Sequence, residues 1–366
     1  MGFDTFLGNE RRISALRGML RRERMPSALL FTGPRGIGKF TLARMFAQAA
    51  NCERLKDDFC GECSSCLRIA RLADPAPLIE QGLTERGESA DAAAVERMPL
   101  ILETHPDVWA LVPDPVRLRT PVTRPMIRVG QLRAVQRAAY FKPECKRRVF
   151  ILDGADTMRW ADADLFLKIL EEPPETATLI LLAASPDSLQ PTIRSRCLQF
   201  HFAPVPASLI EGFLKQRRQL SPGDCKLAAQ LCDGSPGMAL SLDLAESKRL
   251  RRSILDLIEQ GIRGENFSGV FAATAQLAKQ EKESFENILA LFYSLLTDLL
   301  EVSQSPENIS PRNPDLRGDM EALGKHINWA WIERAAQGLD RLDGRLRRNI
   351  GRQLGLDAYI ASLGAR

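Results

Sequence analysis

Apolar positions near the amino end fall first at helical spacing. Ile13, Leu16, Met19 and Leu20, within residues 9–23, share one face of a 3.6-residue period and predict a helix. The pattern then changes. Ala28 to Thr32 (ALLFT) is a short unbroken apolar run closed by glycine, which predicts a strand buried on both faces. Helical periodicity returns from Lys39 to Ala50, and the alternation continues along the chain. Strands are predicted at 108–112, 148–152 (RVFIL), 178–183 (TLILLA) and 198–202. Helices are predicted at 129–140 and at 161–171, the latter stopped by Pro173 and Pro174. Apolar strands alternating with helices predict an α/β domain whose parallel sheet is covered on both faces.

Two stretches break this rhythm. From Leu72 to about Thr104 the composition turns to Ala, Glu and Asp with scattered Pro and Gly, which reads as a surface insertion. Ala203 to Ala207 (APVPA) is a proline-rich joint, and beyond it the patterning is helical throughout. Three parts are therefore expected: an α/β domain over 1–204, a small helical domain over 205–245, and an all-helical domain over 246–366. The second of these boundaries carries no linker signal.

Composition narrows the class. At 366 residues the chain exceeds one typical domain. Its 45% hydrophobic and 26% charged residues exclude a disordered chain. A net charge of +4 neither demands nor excludes a nucleic-acid partner. The best apolar run, Thr178 to Ala184, is strand-sized, well short of the roughly 18 residues a membrane helix needs. The opening MGFDTFLGNERR carries Asp4 and lacks the basic-then-apolar order of a secretory signal, so a cytoplasmic location is expected. In that compartment eight cysteines point to metal ligands or buried thiols rather than disulfides.

Gly33-Pro34-Arg35-Gly36-Ile37-Gly38-Lys39 has the G-x4-G-K spacing of a phosphate-binding loop. Backbone N–H groups must curl around phosphates, so side chains are excluded there, and the lysine adds a point charge. By chance such a string occurs in roughly one chain in ten of this length. Its position directly after a strand and before a helix is what makes it specific. The next residue should carry a Mg²⁺-ligating hydroxyl. It is Phe40, and Thr41, rotated about 100° further round the helix, does not replace it.

Cys52, Cys60, Cys63 and Cys66 form C-x7-C-x2-C-x2-C, a set suited to a closed, structural, tetrahedral Zn²⁺ site. An iron–sulfur cluster is the competing reading, but its run would continue with x3-C-P, and Leu67 follows here. Cys145, Cys197, Cys225 and Cys232 are scattered and are expected to be small buried hydrophobes. A small-molecule P-loop kinase with a zinc-stapled lid usually splits its cysteines into two distant pairs. A free-standing zinc-dependent DNA-binding protein would need a recognition helix that the short loop from Cys52 to Cys66 lacks.

A phosphate loop followed within a helix by a four-cysteine module resembles the clamp-loader branch of the AAA+ ATPases. Further segments fit in order. His105-Pro106-Asp107 and the helix around Gln131 to Arg133 resemble the stretch before the second strand. Lys168 to Pro174 (KILEEPP) is similar to the LLKTLEEPP signature, and Pro191 to Cys197 (PTIRSRC) matches the Ser-Arg-Cys segment. Leu346-Arg347-Arg348-Asn349-Ile350 and Gln353 to Asp357 resemble the last collar helix. The likeness covers nearly the whole chain apart from the insertion.

The resemblance implies an AAA+ P-loop domain with a zinc module, a helical lid and an oligomerising collar. It places ATP against Gly33 to Thr41, Asp153 and the sensor position Ser185. An active member would carry Asp-Glu where this chain has Asp153-Gly154, and a lid arginine where it has Met238. Loss of the general base alone is worth roughly 10²–10⁴ in rate. Arg196 of the Ser-Arg-Cys segment would be an arginine finger acting on a neighbour's ATP, worth on the order of 10³–10⁵. The resemblance thus implies a subunit that does not hydrolyse ATP, in which the loop binds nucleotide weakly, Phe40 argues against Mg²⁺, and Zn²⁺ is structural. Its partners would be several motor subunits and one clamp-opening subunit in a hetero-oligomeric ring. The sliding clamp and primer–template DNA would be met through that ring, with no membrane involved. The alternative is an active motor subunit, which Phe40 and Gly154 oppose. The basic run Arg341, Arg345, Arg347 and Arg348 reads as a solvated helix face.

Overall fold

The computed structural model describes residues 2–87, 92–115, 125–264, 267–279, 285–304, 312–346 and 351–364. The chain divides into two compact units, Met1–Phe213 with Gly234–Met238, and Leu214–Asp233 with Ala239–Arg366.

The first unit opens with α1 (Glu10–Arg21), β1 (Ala28–Thr32) and α2 (Lys39–Asn51), followed by α3 (Ser64–Ala70), α4 (Ala76–Arg86) and α5 (Ala92–Arg97). It continues through β2 (Leu102–His105), β3 (Val108–Leu111), α6 (Val129–Ala139), β4 (Arg148–Asp153) and α7 (Trp160–Glu171). β5 (Ala177–Ala183), α8 (Pro191–Arg194) and β6 (Leu198–His201) complete the sheet, whose order is β2-β3-β4-β5-β1-β6. From β3 to β6 every pairing is parallel. Every residue of β1 and β5 is buried, as their unbroken apolar runs require.

The sheet departs from the all-parallel expectation at one edge, where β2 pairs antiparallel with β3. β2 lies at the end of the stretch expected to be a surface insertion, and that stretch is anchored to the sheet. The Arg86 side chain is buried against Asp114 at 2.9 Å, and its Nε donates to the Met98 carbonyl. Gln131 Nε2 donates to the carbonyls of Leu100 and Val112. These contacts join residues far apart in sequence, so composition carried no sign of them.

α9 (Ala207–Arg217) and α11 (Pro236–Ser241) run across the division between the units, and α10 (Pro222–Leu231) lies in the second. The residues expected to form a lid, 205–245, are therefore shared out between the two. The second unit continues with α12 (Leu244–Arg263), α13 (Phe267–Ala278), α14 (Phe285–Gln304), α15 (Arg317–Gly324), α16 (Trp329–Leu346) and α17 (Arg352–Leu363). The join expected near Glu246 falls inside the first turn of α12, which Asp243 caps by accepting the Glu246 N–H. One core, including Ile254, Phe292, Leu299, Leu339 and Ile360, holds this bundle together. The fully buried guanidinium of Arg251 is met by Asp315 at 2.7 and 2.9 Å and by Asn313. Arg341 and Arg345 are exposed on α16, while Arg347 to Ile350 lie outside the described residues. Among the described residues no helix is long and apolar enough to cross a membrane.

Candidate nucleotide site and metal centre

The strands β1, β4 and β5 all deliver their carboxyl ends to one edge of the sheet, and the phosphate-loop residues gather there. The backbone takes left-handed φ values at Gly33 (148°), Gly36 (76°) and Gly38 (100°), which only glycine adopts without strain. A Cβ on Gly33 would stand 2.8 Å from the Phe202 carbonyl. The Gly33 N–H donates to Ala184 O at the end of β5. Ile37 is buried beneath the loop, whereas Pro34 and Arg35 are exposed. Lys39 Nζ reaches back to the carbonyls of Gly33 (2.6 Å) and Pro34 (2.9 Å), closing the loop on itself at the start of α2. An anion at this helix start would meet both the lysine and unpaired N–H groups.

Asp153 ends β4 beside Lys39. Burial lowers the Lys39 pKa, with Asp153 and Asp156 pulling it the other way, and burial raises that of Asp153 against the pull of Lys39. Asp156, which also accepts the Ala184 N–H, was not singled out in the sequence, although it lies only three residues beyond Asp153.

The departures from an active pattern are built into the backbone. Thr41 is exposed and Phe40 is partly buried, so no hydroxyl takes the expected place. Gly154 has φ 71°, and a Cβ there would lie 2.9 Å from Pro113 Cγ. A glutamate at this position would be strained by the backbone and would push on Pro113. Ser185 is exposed, and its Oγ accepts the Asp187 N–H as a local cap. Gly237 N–H donates to Gly36 O at 2.8 Å, and a Cβ on Gly237 would meet that same oxygen at 2.8 Å. Met238 follows, close enough that a Cβ on Gly36 would stand 2.9 Å from it. Neither residue presents a cation to the loop.

Arg196 lies elsewhere. It precedes β6, whose first residue Leu198 pairs with Leu29 near the start of β1, so it belongs to the amino edge of the parallel sheet. The phosphate loop leaves the opposite edge, about 16 Å away along five strand residues. Arg196 donates to Glu171 Oε1 at the end of α7 and to Thr192 O, both at 2.8 Å.

The four cysteines converge as their spacing predicts. The Sγ atoms of Cys52, Cys60, Cys63 and Cys66 all lie within 4.8 Å of one another. Tetrahedral Zn–S bonds of about 2.3 Å put sulfurs about 3.8 Å apart, and Cys60 and Cys66 stand at 4.0 Å. Backbone N–H groups of Leu55 and Cys63 donate to Cys52 and Cys60, favouring thiolates. The N–H groups of Glu62 and Cys63 lower the Cys60 pKa to about 6. The donor set thus fits a structural Zn²⁺. Of the remaining thiols, Cys197, Cys225 and Cys232 are buried as expected, and burial pushes Cys197 up to about 12. Cys145 is exposed instead, in a turn whose Glu144 and Cys145 N–H groups donate to the buried Asp107 carboxylate.

A mostly parallel sheet whose carboxyl edge carries a glycine-curled phosphate loop, with a helical unit after it, fits the AAA+ class of P-loop proteins. The chain belongs to the family described as DNA polymerase III, delta subunit, whose model matches residues 8–206, more than half of its length. Among curated proteins it is 28% identical to the DNA polymerase III subunit tau of Bacillus subtilis over 66% of this chain and 37% of that one. It is 30% identical to the subunit tau/gamma of Haemophilus influenzae over 54% and 23%, and 27% identical to the Escherichia coli subunit tau over 66% and 32%. The chain therefore spans well under half the length of these relatives. A solved DNA polymerase III gamma subunit-related protein from Thermotoga maritima is 17% identical, with a TM-score of 0.41, and covers 96% of this chain and 98% of that one.

Proposed function

We propose that this chain is a clamp-loader subunit of the delta-prime kind, which leaves ATP hydrolysis to its neighbours and lends them Arg196. The observation that carries this reading is the polarity of the sheet. Arg196 stands at the amino edge and the phosphate loop at the carboxyl edge, so the arginine cannot serve its own site. In an assembled ring it would meet a neighbour's phosphate instead. Phe40, Gly154 and Met238 support the reading, since they stand where a hydrolytic member would carry a hydroxyl, a general base and a lid arginine.

In this reading Gly33, Gly36, Gly38 and Lys39 can still hold phosphates of ATP, with Asp153 and Ser185 at the rim. Mg²⁺ would have Asp153 without a hydroxyl partner. Zn²⁺ on Cys52, Cys60, Cys63 and Cys66 would staple the end of α2 to α3. The partners would be motor subunits and a clamp-opening subunit in a cytoplasmic hetero-oligomeric ring, assembled through residues 246–366 and acting on the sliding clamp at primer–template DNA.

The names of the curated relatives favour a second reading, an active motor of the gamma/tau type. One experiment separates the two. ATP turnover is measured for the isolated chain, then for the complex with motor subunits, with and without Arg196→Ala. An inactive chain whose Arg196→Ala variant slows the complex at least tenfold supports the first reading. Turnover by the isolated chain at motor-like rates supports the second.

A further inference from the structure

A guanidinium that acts on a neighbour's phosphate needs a resting partner until that phosphate arrives. Arg196 already has an anion. Its Nη2 donates to Glu171 Oε1 at 2.8 Å, and its Nη1 donates to Thr192 O one turn back. Both side chains of the ion pair are partly open to solvent, 35% for Arg196 and 50% for Glu171. Glu171 forms its only ion pair among the described residues with Arg196. Neighbouring Arg194 is held by its own partner, Asp187, so the two arginines do not compete for Glu171.

The carboxylate cancels the charge that Arg196 would bring to a phosphate. A finger still paired to Glu171 would present a neutral pair, and two negative groups would face each other across it. Thr192 O, which is uncharged, imposes no such conflict and can go on orienting Nη1. We infer that Glu171 is a positioning residue that holds Arg196 parked in the free subunit and releases it to the neighbour's γ-phosphate in the assembled ring. The inference rests on the reading of Arg196 as a finger in trans. Parking by an exposed pair is weak by nature, so release is easy. Exposed ion pairs of this kind correspond to about a 1.4- to 5-fold bias in an equilibrium. Glu171 therefore tunes the finger without silencing it.

The test is made on the assembled complex with its motor subunits, reading kcat/KM for ATP. Glu171→Gln keeps the shape and removes the charge, and kcat/KM is expected to rise by about 1.4- to 5-fold. In an Arg196→Ala background the same change should do nothing, which a general structural effect would not reproduce. Glu171→Asp, which restores the charge, should bring kcat/KM back toward the parent value. If Glu171→Gln lowers kcat/KM or leaves it unchanged, or if its gain persists without Arg196, the parking role is overturned while the finger stands. If Arg196→Ala alone leaves the complex unaffected, the finger reading itself falls, and the parking role with it.

Discussion

Gly154 offers a direct test of the proposed inactive site, and of whether one residue or the backbone around it keeps a glutamate out. Writing the glutamate back, as Gly154→Glu, restores the letter of an active site. The structure predicts that it does not restore activity. The residue sits at φ 71°, where an L side chain costs about 1–2 kcal/mol, and its Cβ would stand 2.9 Å from Pro113 Cγ, which must shift. The combined cost is about 1–3 kcal/mol. In a unit of this size each kcal/mol lowers Tm by about 2–4 °C, so a fall of about 2–12 °C is expected. Gly154→Ala should show most of the same fall, because the strain belongs to the Cβ and the backbone. Thermal unfolding followed by circular dichroism reads the stability, and phosphate release reads the turnover. A Gly154→Glu protein that melts with the parent and hydrolyses ATP would refute both the steric reasoning and the inactive-site reading.

Three further outcomes follow from contacts already described. Arg86→Ala strands the buried Asp114 carboxylate and should cost about 3–5 kcal/mol in urea unfolding, whereas Arg86→Met with Asp114→Leu should cost much less; equal losses would mean the pair is not coupled. Purified protein should carry one Zn²⁺ per chain by metal analysis, with Cys60→Ser or chelation releasing it and lowering Tm; metal-free protein of unchanged stability would remove the structural-zinc assignment. Because burial raises the pKa of Asp153 in the folded state, its ionisation works against folding above the ordinary carboxylate range. Asp153→Asn should accordingly raise Tm at pH 7, with the gain shrinking as the pH falls toward 4 and the parent carboxyl takes up its proton; a gain independent of pH would contradict the linkage.

Much of the first unit was legible because its strands are buried on both faces and announce themselves as apolar runs. ALLFT, RVFIL and TLILLA became β1, β4 and β5 with ends within one residue of expectation. β2 was missed because LETH is short, has a single aliphatic residue and sits inside polar sequence. α4 was missed because it buries little beyond Arg86. At the site, the phosphate loop and the cysteine cluster were readable because their residues are neighbours in sequence. The pairing of Arg196 with Glu171, and the approach of Gly237 to Gly36, join residues that sequence separates by 25 and about 200 positions. Nothing local encodes such contacts. They arise from the packing of α8 against the end of α7 and from the place of the 234–238 segment within the first unit.

The placement of a donor on one edge of the sheet and an acceptor on the other gives the protomer a direction, like a link with a hook and an eye. Identical or related links can join head to tail, and such a heterologous series closes into a ring or runs on as an arc. In the reading proposed above the eye is closed, by Phe40, Gly154 and Met238, while the hook remains. Under the proposed function such a link would follow another subunit's active site and present none of its own. In a directed arc that combination has one natural address, the terminus, so the same residues that end the catalysis would also fix how many catalytic sites the arc contains.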